Sequence, residues 1–216
     1  GRSNKRQKIK QLGFYIDVSA CSGCKTCQVA CKDKHDLAPG VRWRRVYEVE
    51  GGGWEKLGNA WKQDLCSYHV SMACNHCEHP VCLLACPNKA IIKNEDGVVL
   101  INSRRCMGCR YCEWTCPYGA LQFDPVNKVM TKCTLCHDYI ANGKAPVCVS
   151  ACPMRVIEYG ELETLKKAHP DHHNIFPLPM PVFTQPSLLV RPHRSQIRAE
   201  NLTLRITNTE EVSNES

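Results

Sequence analysis

Nowhere in the 216 residues is there an apolar run close to the roughly 18 residues that a membrane-spanning helix needs. The stretch from Gly1 to Gln11 is basic and polar, and no apolar segment of the kind that marks a secretory signal follows it. The chain is therefore expected to carry no signal of its own. No GxSxG, Walker loop, GxGxxG or HExxH occurs, so nothing argues for a nucleophile, a nucleotide or a hydrolytic zinc site, and no catalytic centre is expected. Negative charge is short as well: 28 Lys and Arg stand against 21 Asp and Glu, a net charge of +7. That excess alone suggests a nucleic-acid or membrane partner.

Cysteine, by contrast, is abundant. The seventeen cysteines allow a disulfide scaffold, a zinc protein or an iron–sulfur protein. Disulfides fit poorly, because the count is odd and all but one cysteine have only two or three residues between them and the nearest other cysteine. Sixteen of them fall into four groups of four. Group one is Cys21, Cys24, Cys27 and Cys31, spaced CxxCxxCxxxC. Group two is Cys74, Cys77, Cys82 and Cys86, followed by Pro87. Group three, Cys106, Cys109, Cys112 and Cys116, repeats the spacing of group one and precedes Pro117. Group four is Cys133, Cys136, Cys148 and Cys152, with Pro153 next.

A CxxCxxC loop wraps its backbone around one cubane so that three thiolates reach three iron corners, and inward amides hydrogen-bond the sulfurs. The fourth cysteine starts a helix and points towards a neighbouring cluster. Proline follows that cysteine in bacterial two-cluster ferredoxins. Group one has Lys32 there instead, which predicts a looser turn. Four structural zinc sites are the bland alternative. However, a third cysteine after only two more residues suits a single tetrahedral ion badly. Each oxidised cubane with its thiolates carries about −2, so four of them bring the chain near neutrality and account for most of the basic excess.

Elsewhere, residues 1–12 read as a solvated basic tail, and GFYIDVSAC from Gly13 as a strand feeding a cysteine loop. Within residues 32–73, β-branched and aromatic residues flank a triple glycine, predicting two strands joined at Gly51 to Gly53. Gly97 to Arg104 is strand-like, and Glu161 to His169 reads as a short amphipathic helix. Pro170 to Pro192 is expected to be an extended surface arm, and residues from about 195 onward a mobile polar tail. Cys66 fits no group and is expected to be a buried thiol at a strand end. Arg42, Arg44 and Arg45 are either docking or cluster-tuning groups, or a solvated charged face. His35, His69, His76, His79 and His137 lie near the cysteines and are candidates for tuning the potentials, but with sixteen thiolates filling four sites none is expected to be a ligand. Tyr111, Trp114 and Tyr118 are expected to form a dry shell over the clusters.

The segments GFYIDVSACSGCKTCQVACKDKHDL, RRVYEVEGGGW, CNHCEHPVCLLACPNKAI, CMGCRYCEWTCPYGA and MTKCTLCHDYIANGKAPVCVSACPMRVIEYG carry a family resemblance. Over about residues 13–193 the chain resembles the iron–sulfur subunits of anaerobic dimethyl sulfoxide reductases, among the four-cluster electron-transfer subunits of the molybdopterin oxidoreductases. The resemblance implies a pairing that spacing alone leaves open. One cluster takes Cys21, Cys24, Cys27 and Cys152, and a second takes Cys133, Cys136, Cys148 and Cys31. A third takes Cys74, Cys77, Cys82 and Cys116, and a fourth takes Cys106, Cys109, Cys112 and Cys86. The similar nitrate reductase subunit has tryptophan at the place of Cys109 and holds a three-iron cluster, so four [4Fe-4S] clusters and no [3Fe-4S] are expected here.

The implied fold is α+β, with two ferredoxin-like [4Fe-4S] units, an inserted β-hairpin and an extended C-terminal arm. Residues 74–129 form one unit, and 13–73 pack with 130–160, leaving helix, arm and tail to 161–216. The implied partners are a molybdopterin catalytic subunit and an integral-membrane quinol-oxidising anchor, at the periphery of the cytoplasmic membrane, with no nucleic acid. Two rivals remain. One is a subunit of a polysulfide reductase, formate dehydrogenase or hydrogenase, or a free polyferredoxin. The other is a zinc-dependent nucleic-acid-binding module.

Overall fold

The computed structural model describes residues 10–197 and 203–213. Strand β1 (Leu12–Asp17) buries five of its six residues. It begins at Leu12, whose N–H donates to the Asp96 carbonyl at 2.9 Å, so the expected basic tail ends earlier than residue 12. Residues 1–9 of that tail lie outside the described residues. Helix α1 (Thr26–Lys34) follows the first cysteine loop, and then come β2 (Arg45–Gly51), β3 (Trp54–Leu57), β4 (Ala60–Gln63) and β5 (Cys66–Met72).

The triple glycine is not the hairpin turn. β2 pairs antiparallel with β5, Arg45 opposite Met72 and Gly51 opposite Cys66. Between them β3 and β4 form a separate ribbon closed by Gly58 and Asn59. A two-residue connection needs positive φ, and Gly58 supplies it at +61°. Gly52, at φ +83°, lies so close to the Asp64 carbonyl that a Cβ there would clash, which fits glycine where the ribbon leaves the sheet. Cys66 is buried at the first position of β5.

The cysteine-rich stretch is built from very short elements: α2 (Val81–Ala85), β6 (Ile91–Lys93), β7 (Val99–Ile101), α3 (Tyr111–Thr115), β8 (Gln122–Asp124) and β9 (Val129–Thr131). It continues into α4 (His137–Ala141), α5 (Val147–Ala151), β10 (Ile157–Glu161) and α6 (Leu162–Ala168). β6 pairs with β7 and β8 with β9, both antiparallel.

The proline-rich segment does more than lie on a surface. It ends in β11 (Leu188–Arg191), which pairs parallel with β1, while β10 pairs antiparallel with the other edge of β1. Glycine is required at Gly13, because a Cβ there would meet the Ser187 carbonyl of the incoming strand. The tail differs from expectation too. After α7 (Arg194–Ile197), β12 (Leu204–Ile206) adds to the free edge of β2, and α8 (Thr209–Val212) buries Val212. Asn208 accepts from the Glu48 N–H at 2.9 Å, and Arg45 donates to the Val212 carbonyl at 2.6 Å, so this polar segment is held by hydrogen bonds rather than by an apolar pattern. Ile16, Val18, Val49, Val70, Met72 and Val190 pack the β1 sheet against the β2 sheet. The result is an α+β fold in which cysteines belong to several of the apolar clusters.

Candidate metal centres

In each of the four loops, the residue before the second cysteine has positive φ: Gly23 (+69°), His76 (+43°), Gly108 (+68°) and Leu135 (+56°). A left-handed residue at that place turns successive N–H groups to one side and makes a concavity suited to an anion. At two of the four places the residue is glycine, and the neighbours explain it. A Cβ at Gly23 would strike the His69 ring, and one at Gly108 the Lys128 carbonyl. The residue after the second cysteine in groups one and three, Lys25 at +60° and Arg110 at +61°, repeats the same turn.

The last cysteines of groups two, three and four end their helices in like turns. The N–H of Lys89, Gly119 and Arg155 donates to the carbonyl of Cys86, Cys116 and Cys152 at 3.1, 3.2 and 3.3 Å. Proline after the cysteine stops the helix there. The looser turn expected after Cys31 is absent. Without proline, α1 runs through Cys31 to Lys34.

Four CxxxC pairs lie on or at the ends of helices: Cys27 and Cys31 on α1, Cys82 and Cys86 on α2, Cys112 and Cys116 on α3, Cys148 and Cys152 on α5. Positions i and i+4 share a helix face about 6 Å apart along the axis. Each helix therefore offers one sulfur to each of two neighbouring places. Cys21, Cys24, Cys27 and Cys152 line a first hollow. Cys133, Cys136 and Cys148 lie within electrostatic reach of Cys31 and form a second group with it. Cys74, Cys77, Cys82 and Cys116 line a third hollow. Cys86, Cys106, Cys109 and Cys112 line a fourth. The places form a row, since Cys27 neighbours Cys148, Cys133 neighbours Cys74, and α2 packs on α3. Cys24 and Cys109, in the two end groups, are exposed. Cys66 belongs to none of the four.

Donors surround the sulfurs. The N–H groups of Ala90, Met130 and Leu135 reach the Sγ atoms of Cys86, Cys106 and Cys133 at 3.2, 3.4 and 3.3 Å. His35 Nε2 is 3.4 Å from Cys136 Sγ, and burial together with Lys34 lowers its pKa to about 4. Burial pushes Cys77, Cys82, Cys112 and Cys133 up to about 12, the values of neutral thiols in the absence of metal.

Two cations are sealed among these groups. Arg44 is 1% exposed and Lys132 3%, and among the described residues neither makes a salt bridge to a carboxylate. Lys132 Nζ donates to the carbonyls of Cys133, at 2.9 Å, and Val99. Arg44 and Arg45 are thus not a solvated face, whereas Arg42 is half-buried and donates to the Glu211 carbonyl at 2.5 Å. Among the described residues, the buried donors Arg44 Nη2, Asn75 Nδ2 and His76 Nε2 have no partner. His76 accepts from the Val99 N–H through Nδ1, which leaves Nε2 as the donor. Buried cations and orphaned N–H groups beside clustered thiols are what an anionic iron–sulfur cluster with acceptor sulfides would complement. Arg44 and His76 stood out in the sequence by their charge and by their place beside the cysteines, whereas nothing there signals Asn75, an ordinary loop residue.

The aromatic expectation divides. Tyr118 is buried beside the third hollow, but Tyr111 and Trp114 are 53% and 74% exposed and do not form a dry shell. Leu84 on α2 and Met107, which lines the fourth hollow with Cys109, are exposed as well, so the packed pair α2 and α3 with the loop before α3 presents an apolar collar. Among the described residues no helix is long and apolar enough to cross a membrane.

A match to the 4Fe-4S dicluster domain family spans residues 65–162. The chain is 44% identical over 202 residues to the B subunit of anaerobic dimethyl sulfoxide reductase from Escherichia coli (strain K12), covering 94% of this chain and 98% of that one. It is 43% identical over 187 residues to the corresponding subunit from Haemophilus influenzae, covering 86% and 91%. The B subunit of polysulfide reductase from Wolinella succinogenes is 36% identical over 158 residues, 73% and 80% of the two proteins. The protein belongs to the family of the anaerobic dimethyl sulfoxide reductase B subunits, the iron–sulfur electron-transfer subunits of multi-subunit oxidoreductases.

Proposed function

We propose that the chain holds four [4Fe-4S] clusters, one on each cysteine group described above, and relays electrons from a membrane quinol-oxidising subunit to a molybdopterin catalytic subunit of the dimethyl sulfoxide reductase type. Each cluster, when bound, takes up and gives back one electron. The carrying observation is the row itself: four cysteine groups joined by CxxxC helices, with exposed cysteines at both ends and sealed cations along it.

Two units are read within this row. Residues 74–129 serve the third and fourth clusters, and 13–73 with 130–160 serve the first and second. The β3–β4 ribbon is the inserted hairpin, and the segment after α6 is the C-terminal arm. The apolar collar of Leu84, Met107, Tyr111 and Trp114 is the surface for the membrane subunit. A buried aromatic or aliphatic anchor contributes on the order of 2 kcal/mol to an interface, about 30-fold in affinity.

The test is made on membranes containing the complete complex. A quinol analogue should bleach the visible absorbance of the clusters, and dimethyl sulfoxide should restore it. The double variant Leu84→Glu with Trp114→Glu should keep its iron but lose quinol bleaching. Full bleaching in that variant would remove the collar from the account, and no bleaching of the unaltered complex would remove the relay.

A further inference from the structure

Among the described residues, Arg44 is the largest side chain to be wholly buried. Its Nη1 donates to Ser71 Oγ at 3.0 Å, and Ser71 Oγ lies 3.2 Å from Cys27 Sγ, in the first cysteine group. The guanidinium stacks on the Phe14 ring at 4.8 Å, and Nη2 has no partner in the polypeptide. Cys27 of the first group and Cys31, Cys133 and Cys148 of the second lie around it. A desolvated guanidinium costs several kcal/mol unless an anion faces it, and it does not deprotonate in proteins. The groups within reach that become anionic on cluster binding are the sulfurs of these two places.

We propose that Arg44 is a fixed positive bridge between the first and second clusters, holding up the reduction potentials of these two. This rests on the four-cluster reading. Uptake of an electron makes a cluster more negative, and a nearby cation that cannot be screened by water favours that form. The thiols that share most in Arg44 belong to the first and second places, and in the third loop its charge reaches the His76 ring, while Lys132 faces Cys82, Cys116 and Cys133, towards the second and third. Arg44 is thus a tuning residue centred on the first two clusters.

The experiment compares Arg44→Met and Arg44→Lys in the complete complex by iron content and by EPR redox titration. With Arg44→Met, two of the four midpoint potentials should fall while the other two stay in place and iron content is unchanged. Arg44→Lys, which keeps the charge, should restore most of the fall. Four unmoved potentials at full iron content would overturn the proposal. If Arg44→Met loses iron, Arg44→Lys decides. Full iron there supports a requirement for charge, and loss in both overturns it by making Arg44 a packing residue. A wild-type complex without clusters would instead be the failure of the four-cluster reading itself.

Discussion

Iron-free protein, produced under iron starvation and kept anaerobic and reduced, should show no cooperative thermal transition by circular dichroism, whereas the iron-loaded protein unfolds in one step with loss of visible absorbance. The local structure does not support itself. Helices α2, α3, α4 and α5 have five residues each, far below the ~12–15 at which an isolated helix becomes marginal in water. Strands β6 to β9 have three residues each, and isolated two-stranded ribbons are at best marginal. Electrostatics adds to this. Without iron, burial raises the pKa of the Cys27, Cys31, Cys82, Cys116 and Cys133 thiols, so these neighbours offer Arg44 and Lys132 no anion. An uncompensated buried charge costs several kcal/mol, against a total stability of about 5–15 kcal/mol for an ordinary domain. A folded iron-free protein with a sharp transition would show that the apolar clusters suffice alone.

Cys109→Ser should lower the iron content by about one per chain and produce the EPR signal of an oxidised [3Fe-4S] cluster, with the other clusters retained. Cys109 is the exposed member of its group, with Cys112 buried and Cys86 and Cys106 half-buried. Three thiolates still hold three iron corners, while the fourth corner faces water and a hydroxyl, a poor replacement for a thiolate. Cys112→Ser, in the buried interior of the same place, should instead cost the whole cluster, about four irons. With the row broken at its end, quinol-driven turnover in Cys109→Ser should fall at least about tenfold, equivalent to about 1.4 kcal/mol on the barrier. Unchanged iron content and spectrum would show that Cys109 is not a ligand.

The cysteine groups were legible because each CxxCxxC loop and each CxxxC helix is a local arrangement, and local spacing is written in the chain. Strand β1 and helix α6 were legible for the same reason. Elements held by distant partners were not. β2 finds β5 across the intervening ribbon, so the triple glycine looked like a turn when it is the exit from a sheet. β11 enters beside β1 from a proline-rich segment whose apolar residues carry no periodicity. The segment 203–213 looked like a loose tail because what fixes it is polar: Glu211 accepts from Lys25 at 2.5 Å and from Gln28 at 3.1 Å. Arg44 showed most clearly where such reading stops. In RWRR, nothing separates an arginine sealed between cysteine groups from one on a solvated face, since burial is a property of the assembled fold.

An anaerobic iron and acid-labile sulfide assay of the purified complex, together with an EPR redox titration, counts the clusters on the sixteen cysteines. About sixteen irons and sixteen sulfides per chain are expected, from four clusters of four. Interacting signals of reduced [4Fe-4S] clusters should appear, with no oxidised [3Fe-4S] signal. About four zinc ions per chain, one for each four-cysteine site, with no labile sulfide and no EPR signal, would contradict the four-cluster reading.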